Sequence, residues 1–148
     1  MSIKGDVQEA LKMAMKNKDE VRLACLRMAK GALLLKEKES ATTQDLTEEE
    51  AIQALRSEVR KRQQSIETYR ELGKAGEASK IEAEIAILEA FLPRQLSSEQ
   101  IEAHVRAYVA EHPDVNHPGK LTGVLKKALG DQADGKVLNE VCRKVLGV

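Results

Sequence analysis

The chain has no tryptophan, one phenylalanine and two tyrosines among its 148 residues. Any core must therefore be aliphatic, and little is available for stacking nucleobases on aromatic rings. Proline is also scarce, at three residues, which leaves long stretches free for helix. The two cysteines, Cys25 and Cys142, stand far apart among apolar neighbours. No CxxC spacing offers a metal site, and the pair reads as two buried free thiols in a reducing compartment. Apolar runs such as "ALLL" (32–35) fall far short of the roughly 20 residues that span a bilayer. The start, "MSIKGDVQEA", has no continuous apolar segment and carries Asp6 and Glu9, so neither a signal nor a transit peptide is expected. These absences imply a cytoplasmic protein with no membrane association.

Recognisable catalytic patterns are missing as well. There is no GxSxG, Walker A or GxGxxG motif. His104, His112 and His117 do not place two rings on one helix face, and Asp114 is the only carboxylate near the last two. Neither cysteine is spaced with a base as an activated nucleophile would be. No metal, no cofactor and no catalytic residues are expected.

What the sequence has is charge and helical period. Charged residues make up 32% of the chain, with 24 basic and 24 acidic side chains. The zero net charge gives no global pull toward nucleic acid, so local distribution matters. Apolar residues recur at three- and four-residue steps throughout, and no segment alternates with period two. Helices are predicted over 2–16, 20–36, 48–72, 77–92, 97–110, 119–129 and 135–146. Asp19 is a candidate N-cap for the second. The second helix carries so many apolar residues, from Leu23 to Leu35, that a central element packed on several neighbours is expected. Residues 37–46 read as a mobile loop. Thr47 with Glu50, and Ser97 with Gln100, match the capping box. Gly73 and Gly76 separate two helices whose seams match (Ile52, Leu55, Val59, Ile66; then Ile81, Ile85, Leu88, Leu92), which predicts an antiparallel hairpin. Inward faces of the last two helices are expected at Leu121, Val124, Leu125 and Ala128, and at Val137, Leu138, Val141 and Val145. The fold class is all-α: an N-terminal lobe over 1–92 with a long helix hairpin, and a C-terminal three-helix lobe over 93–148. Pro93 ends the hairpin, and its short stiff link implies a preferred angle between lobes.

Two basic regions are candidate RNA contacts. Residues 56–70 carry five basic and two acidic side chains. Within them Arg60, Lys61 and Arg62 are candidates, although Arg62 occupies a seam position and has a structural reading, snorkelling or pairing with a glutamate such as Glu84. From Pro118 onward six basic residues, Lys120, Lys126, Lys127, Lys136, Arg143 and Lys144, face three acidic ones. Gly119 and Gly135 open the two short helices there, where free amides could receive a phosphate. Asp134 is expected to cap the last helix and compete for those amides.

The segments "RLACLRMAKGALL", "SEVRKRQQSIETY", "EAEIAILEAFLPRQLSSEQI" and "GKLTGVLKKALGDQADGKVLNEVCRKVL" occur in this order. Together they resemble the GatB/YqeY family, specifically its small stand-alone YqeY-like members. The resemblance implies an all-helical protein whose last lobe is related to the tail of the tRNA-dependent amidotransferase B subunit, a tail that contacts tRNA. It assigns Gly119, Lys120, Gly123, Asp134, Gly135, Lys136 and Asn139 to the tail pattern. It also carries a family label of carbon–nitrogen ligase with glutamine as amido donor, for which no catalytic residues are visible here. The expected function is a non-catalytic module binding tRNA or another structured RNA. The alternative is a helical adaptor for a protein partner such as an amidotransferase subunit or a synthetase.

Overall fold

The computed structural model describes residues 2–39 and 45–148. All regular structure among them is helical. The α-helices are α1 (Ile3–Lys16), α2 (Glu20–Glu39), α3 (Glu48–Glu71), α4 (Ala75–Glu89), α5 (Ser98–Glu111), α6 (Pro118–Leu129) and α7 (Gly135–Leu146). A single 3-10 turn, Gly130–Gln132, follows α6. The chain divides into two compact units, Met1–Leu92 and Pro93–Val148.

In the first unit the helix ends are fixed by local capping. Ser2 accepts a hydrogen bond from the Gly5 amide, and the Glu48 carboxylate accepts one from Ile3 N at 2.8 Å. Two otherwise unpaired amides of α1 are satisfied, one of them by α3. Asp19 Oδ1 accepts from Arg22 N at 3.1 Å, as an N-cap should. The Thr47–Glu50 capping box forms in full, and Leu46 just before it packs on the core as an anchor for the chain's entry. Gly73 adopts φ +73°, a left-handed conformation that turns the chain between α3 and α4.

The core joins Ile3 and Val7 of α1, Cys25, Ala29 and Leu33 of α2, Ala51, Leu55 and Val59 of α3, and Leu88 of α4. α3 and α4 pack as a hairpin, with Arg70 and Glu82 paired across it. α2 contacts α1, α3 and α4, and α3 likewise contacts the other three helices, so the two share the central place.

Several boundaries differ from the sequence expectation. α2 extends through Glu39, so positions 37–39 of the expected loop are helical, and residues 40–44 lie outside the described ones. Gly76 sits inside the first turn of α4 rather than in the link. α4 ends at Glu89, before Leu92. The amides of Phe91 and Leu92 bond back to Leu88 and Glu89, three residues away, and this tighter turn leads into Pro93, which keeps Leu92 out of helical geometry. The apolar face of α2 is also narrower than expected. Cys25, Leu26, Ala29 and Leu33 are buried, whereas Met28, Leu34 and Leu35 are exposed.

The second unit is built from short helices around Ile101, Val105, Leu121, Leu125, Ala133, Leu138, Val141 and Cys142. The Ser97–Gln100 capping box starts α5. Leu96 N donates to Gln132 O at 2.7 Å and Gln95 Nε2 to Asp131 O at 2.9 Å, which ties the entry of the unit to the 3-10 turn. On α6 only Leu121 and Leu125 turn fully inward; Val124, expected in the core, is 46% exposed, and Ala128 is exposed too. A short helix packed mainly on one neighbour needs only a narrow stripe. Both cysteines are free and buried, and burial raises both thiol pKa values above the ordinary range.

Candidate nucleic-acid interface

The candidate surface of the second unit is set by how α6 and α7 begin and end. At the start of α6, His117 is the N-cap, Pro118 takes the first helical position, and Lys120 N donates to His117 Nδ1 at 3.2 Å. A Cβ on Gly119 would lie 3.0 Å from His117 Cε1. Glycine there makes room for the capping ring, not for a phosphate. Nothing in the helical period singles out His117 as a cap. The one local signal was its place directly before a proline that opens a helix, and histidine is not among the usual capping residues.

α7 begins differently. Asp134 occupies the N-cap position, but its side chain makes no capping hydrogen bond, so the expected competition of its carboxylate for the amides is not seen. A Cβ on Gly135 would meet nothing within 4 Å.

The six basic side chains of this unit divide by role. Lys126 donates to the carbonyls of Gly130 and Ala133 and thereby closes the end of α6. Lys144 pairs with Glu102 of α5 at 2.7 Å, and this bond holds the Glu102 carboxyl below its usual range. Lys120 and Lys127 are exposed, one heptad apart on α6, with Gly123 and Val124 between them. Lys136 and Arg143 are exposed on α7. α7 runs back along α6: the Thr122 hydroxyl donates to Pro118 O at 2.7 Å on its own helix, and Asn139 Oδ1 of α7 lies 3.3 Å from the same hydroxyl oxygen. This registration sets Lys120 toward the Arg143 end of α7 and Lys127 toward the Lys136 end. Asn139, which the resemblance placed in the tail pattern, is part of this helix–helix junction.

In the first unit the three adjacent candidates separate, because consecutive helical positions point about 100° apart. Arg60 is exposed; Lys61 is exposed and lies 3.4 Å from Glu58. Arg62 is only 7% exposed. Its Nη1 donates to Glu58 O at 3.1 Å and stands 3.9 Å from Glu58 Oε2, while Nη2 contacts Met28 Sδ at 3.7 Å. Its Nε has no partner. The partner expected on α4, Glu84, is replaced by Glu58 one turn back on the same helix, where no second helix has to be brought into register. Arg62 is therefore a buried structural residue that presents nothing to a polyanion.

Among the described residues no three His, Cys, Asp or Glu side chains are grouped to hold a metal, and no helix is long and apolar enough to cross a membrane. His112 stacks on Tyr108 at 4.1 Å between ring centres. A groove of about 320 Å³ between α2 and α3, floored by Gly31, Ala32, Ala54 and Ser57 and bordered by Leu35, was not foreseen from the sequence.

No curated protein sequence matches the chain. A family model described as Yqey-like protein matches residues 4–146. The match takes in the hairpin, the "FLPRQLS" segment and the whole α6–α7 pair, and the chain belongs to the YqeY-like protein family.

Proposed function

We propose that the chain is a non-catalytic module that binds structured RNA, with tRNA the favoured class. The observation that carries this reading is the exposed set Lys120, Lys127 and Arg143 on one helix pair, in a stretch where basic residues outnumber acidic ones six to three. Recognition would run through the phosphate backbone and RNA shape, since nearby aromatic rings are few. The relation of the family to the tRNA-contacting amidotransferase tail, carried by resemblance, supports the same reading. The ligase label carried by the resemblance is no part of this proposal.

The test is filter binding with total tRNA across a salt series, comparing wild type with Lys120→Ala/Lys127→Ala/Arg143→Ala. Wild type should lose affinity steeply as salt rises. The triple variant should bind weakly, with a shallower slope by about one unit per phosphate contact removed. Equal binding by both proteins, or none by wild type at low salt, overturns the reading. The adaptor alternative is favoured by the exposed apolar residues of α2; partner capture that survives nuclease and salt would select it.

A further inference from the structure

Helix α2 leaves one face uncovered. Val21, Met28 and Leu35 are 67%, 56% and 61% exposed. The positions between them on that face are small: Ala24, Gly31 and Ala32. The large residues repeat every seven positions, the period of a seam that faces another helix. The spacing of the side chains, Gly31 contributing none, also has a symmetry. Val21, Ala24, Met28, Ala32 and Leu35 are separated by steps of 3, 4, 4 and 3, which read the same from either end.

A stripe with that order complements its own reverse. If two copies of α2 lie antiparallel about an axis at Met28, Val21 meets Leu35, Ala24 meets Ala32 and Met28 meets Met28. Such reciprocity is what a two-fold interface requires. Small residues oppose small ones on both sides of the axis, so the backbones can approach closely. A Cβ added to Gly31 would meet nothing within 4 Å, so this side of the helix is open. The stripe extends about 21 Å along the helix. At its Leu35 end the stripe meets the groove between α2 and α3, lined by small residues and by the charged Lys36, Glu39 and Lys61, and this register brings the other copy's Val21 to its mouth.

The charges follow the same symmetry. Glu20 and Lys38 lie eighteen residues apart, five helical turns, and so share one flank of the stripe. The two-fold axis sets each Glu20 near the other copy's Lys38. Arg27, on that flank near the axis, is long enough to keep its head in water. A foreign helix would need neither the palindromic spacing nor opposite charges at the two ends of one flank.

We propose that α2 is a homodimerisation surface, two copies of the chain packing antiparallel about a two-fold axis at Met28. This is independent of the RNA reading.

The test uses the full chain in light scattering and sedimentation. Wild type should form a dimer of about twice the 16.3 kDa chain mass. Val21→Lys or Leu35→Glu alone should each weaken dimerisation about tenfold or more, because each sets a charge against an apolar residue of the other copy. The double variant Val21→Lys/Leu35→Glu should recover most of that loss, since each lysine then faces the other copy's glutamate. The two positions lie too far apart on one helix to pair within a chain. Circular dichroism should show unchanged helix content, as both sites are exposed. A wild type that stays monomeric at about 100 µM would overturn the proposal in favour of a different occupant. A dimer indifferent to the single changes, or a double variant no better than the singles, overturns it too.

Discussion

Two inward-facing polar groups, one in each unit, differ in what they join. In the first, Arg62 enters the space beside α2 with one nitrogen unpartnered and its best acceptors on its own helix. In the second, the half-buried Thr122 of α6 reaches Asn139 of α7. The first arrangement joins nothing between helices except a weak contact to Met28; the second fixes the register of two helices. The difference teaches that burial alone does not identify an organising residue. What matters is whether its bonds cross from one element to another. It also explains where each unit shows a usable surface. α2 is packed on one side and bare on the other, while the α6–α7 pair is locked internally and directs lysines and an arginine outward.

The comparison can be broken most forcefully at the cores. Leu138→Ala removes a fully buried side chain from the second core and should cost about 2–5 kcal/mol. Amide exchange should then accelerate in α5–α7 while α1–α4 keep their protection. Equal loss of protection in both units would show that the cores do not unfold separately.

Arg62→Met should change stability little, because the charge it removes is poorly satisfied and Lys61 still stands beside the Glu58 carboxylate left behind. A lower thermal midpoint would show that the guanidinium contributes more than its bonds suggest.

Thr122→Val keeps the shape but deprives Asn139 of its hydroxyl partner, and should cost about 1–3 kcal/mol. Denaturant titration measures it. A neutral result would remove the junction from the comparison.

The smallest effect is expected at Lys144 and Glu102, an exposed pair. The folded-state carboxyl pKa is lowered by Lys144, so the pair's contribution is present above the ordinary carboxylate range and fades as pH falls through the folded value. Lys144→Met should therefore lower the thermal midpoint slightly near neutrality, with the gap to wild type closing in acid. A gap that persists at low pH would mean that the lysine acts through packing.

Sequence and tertiary structure divided the outcome along a physical line. Capping boxes at Thr47 and Ser97, the helix break at Gly73 and the bounds of α7 were legible, because each depends on residues within one turn of chain. Helical period likewise settled the all-α class. The α4 terminus at Glu89, the bare side of α2 and the outward position of Val124 were not legible. Periodicity shows that a side chain is apolar, not how many neighbours arrive to cover it. The candidate site divided the same way. Basic composition was on view in the sequence. The inward position of Arg62 was legible from its seam slot, but its pairing with Glu58 rather than with a glutamate of α4, and the Lys144–Glu102 bond between α7 and α5, were decided only by which groups came within reach in space.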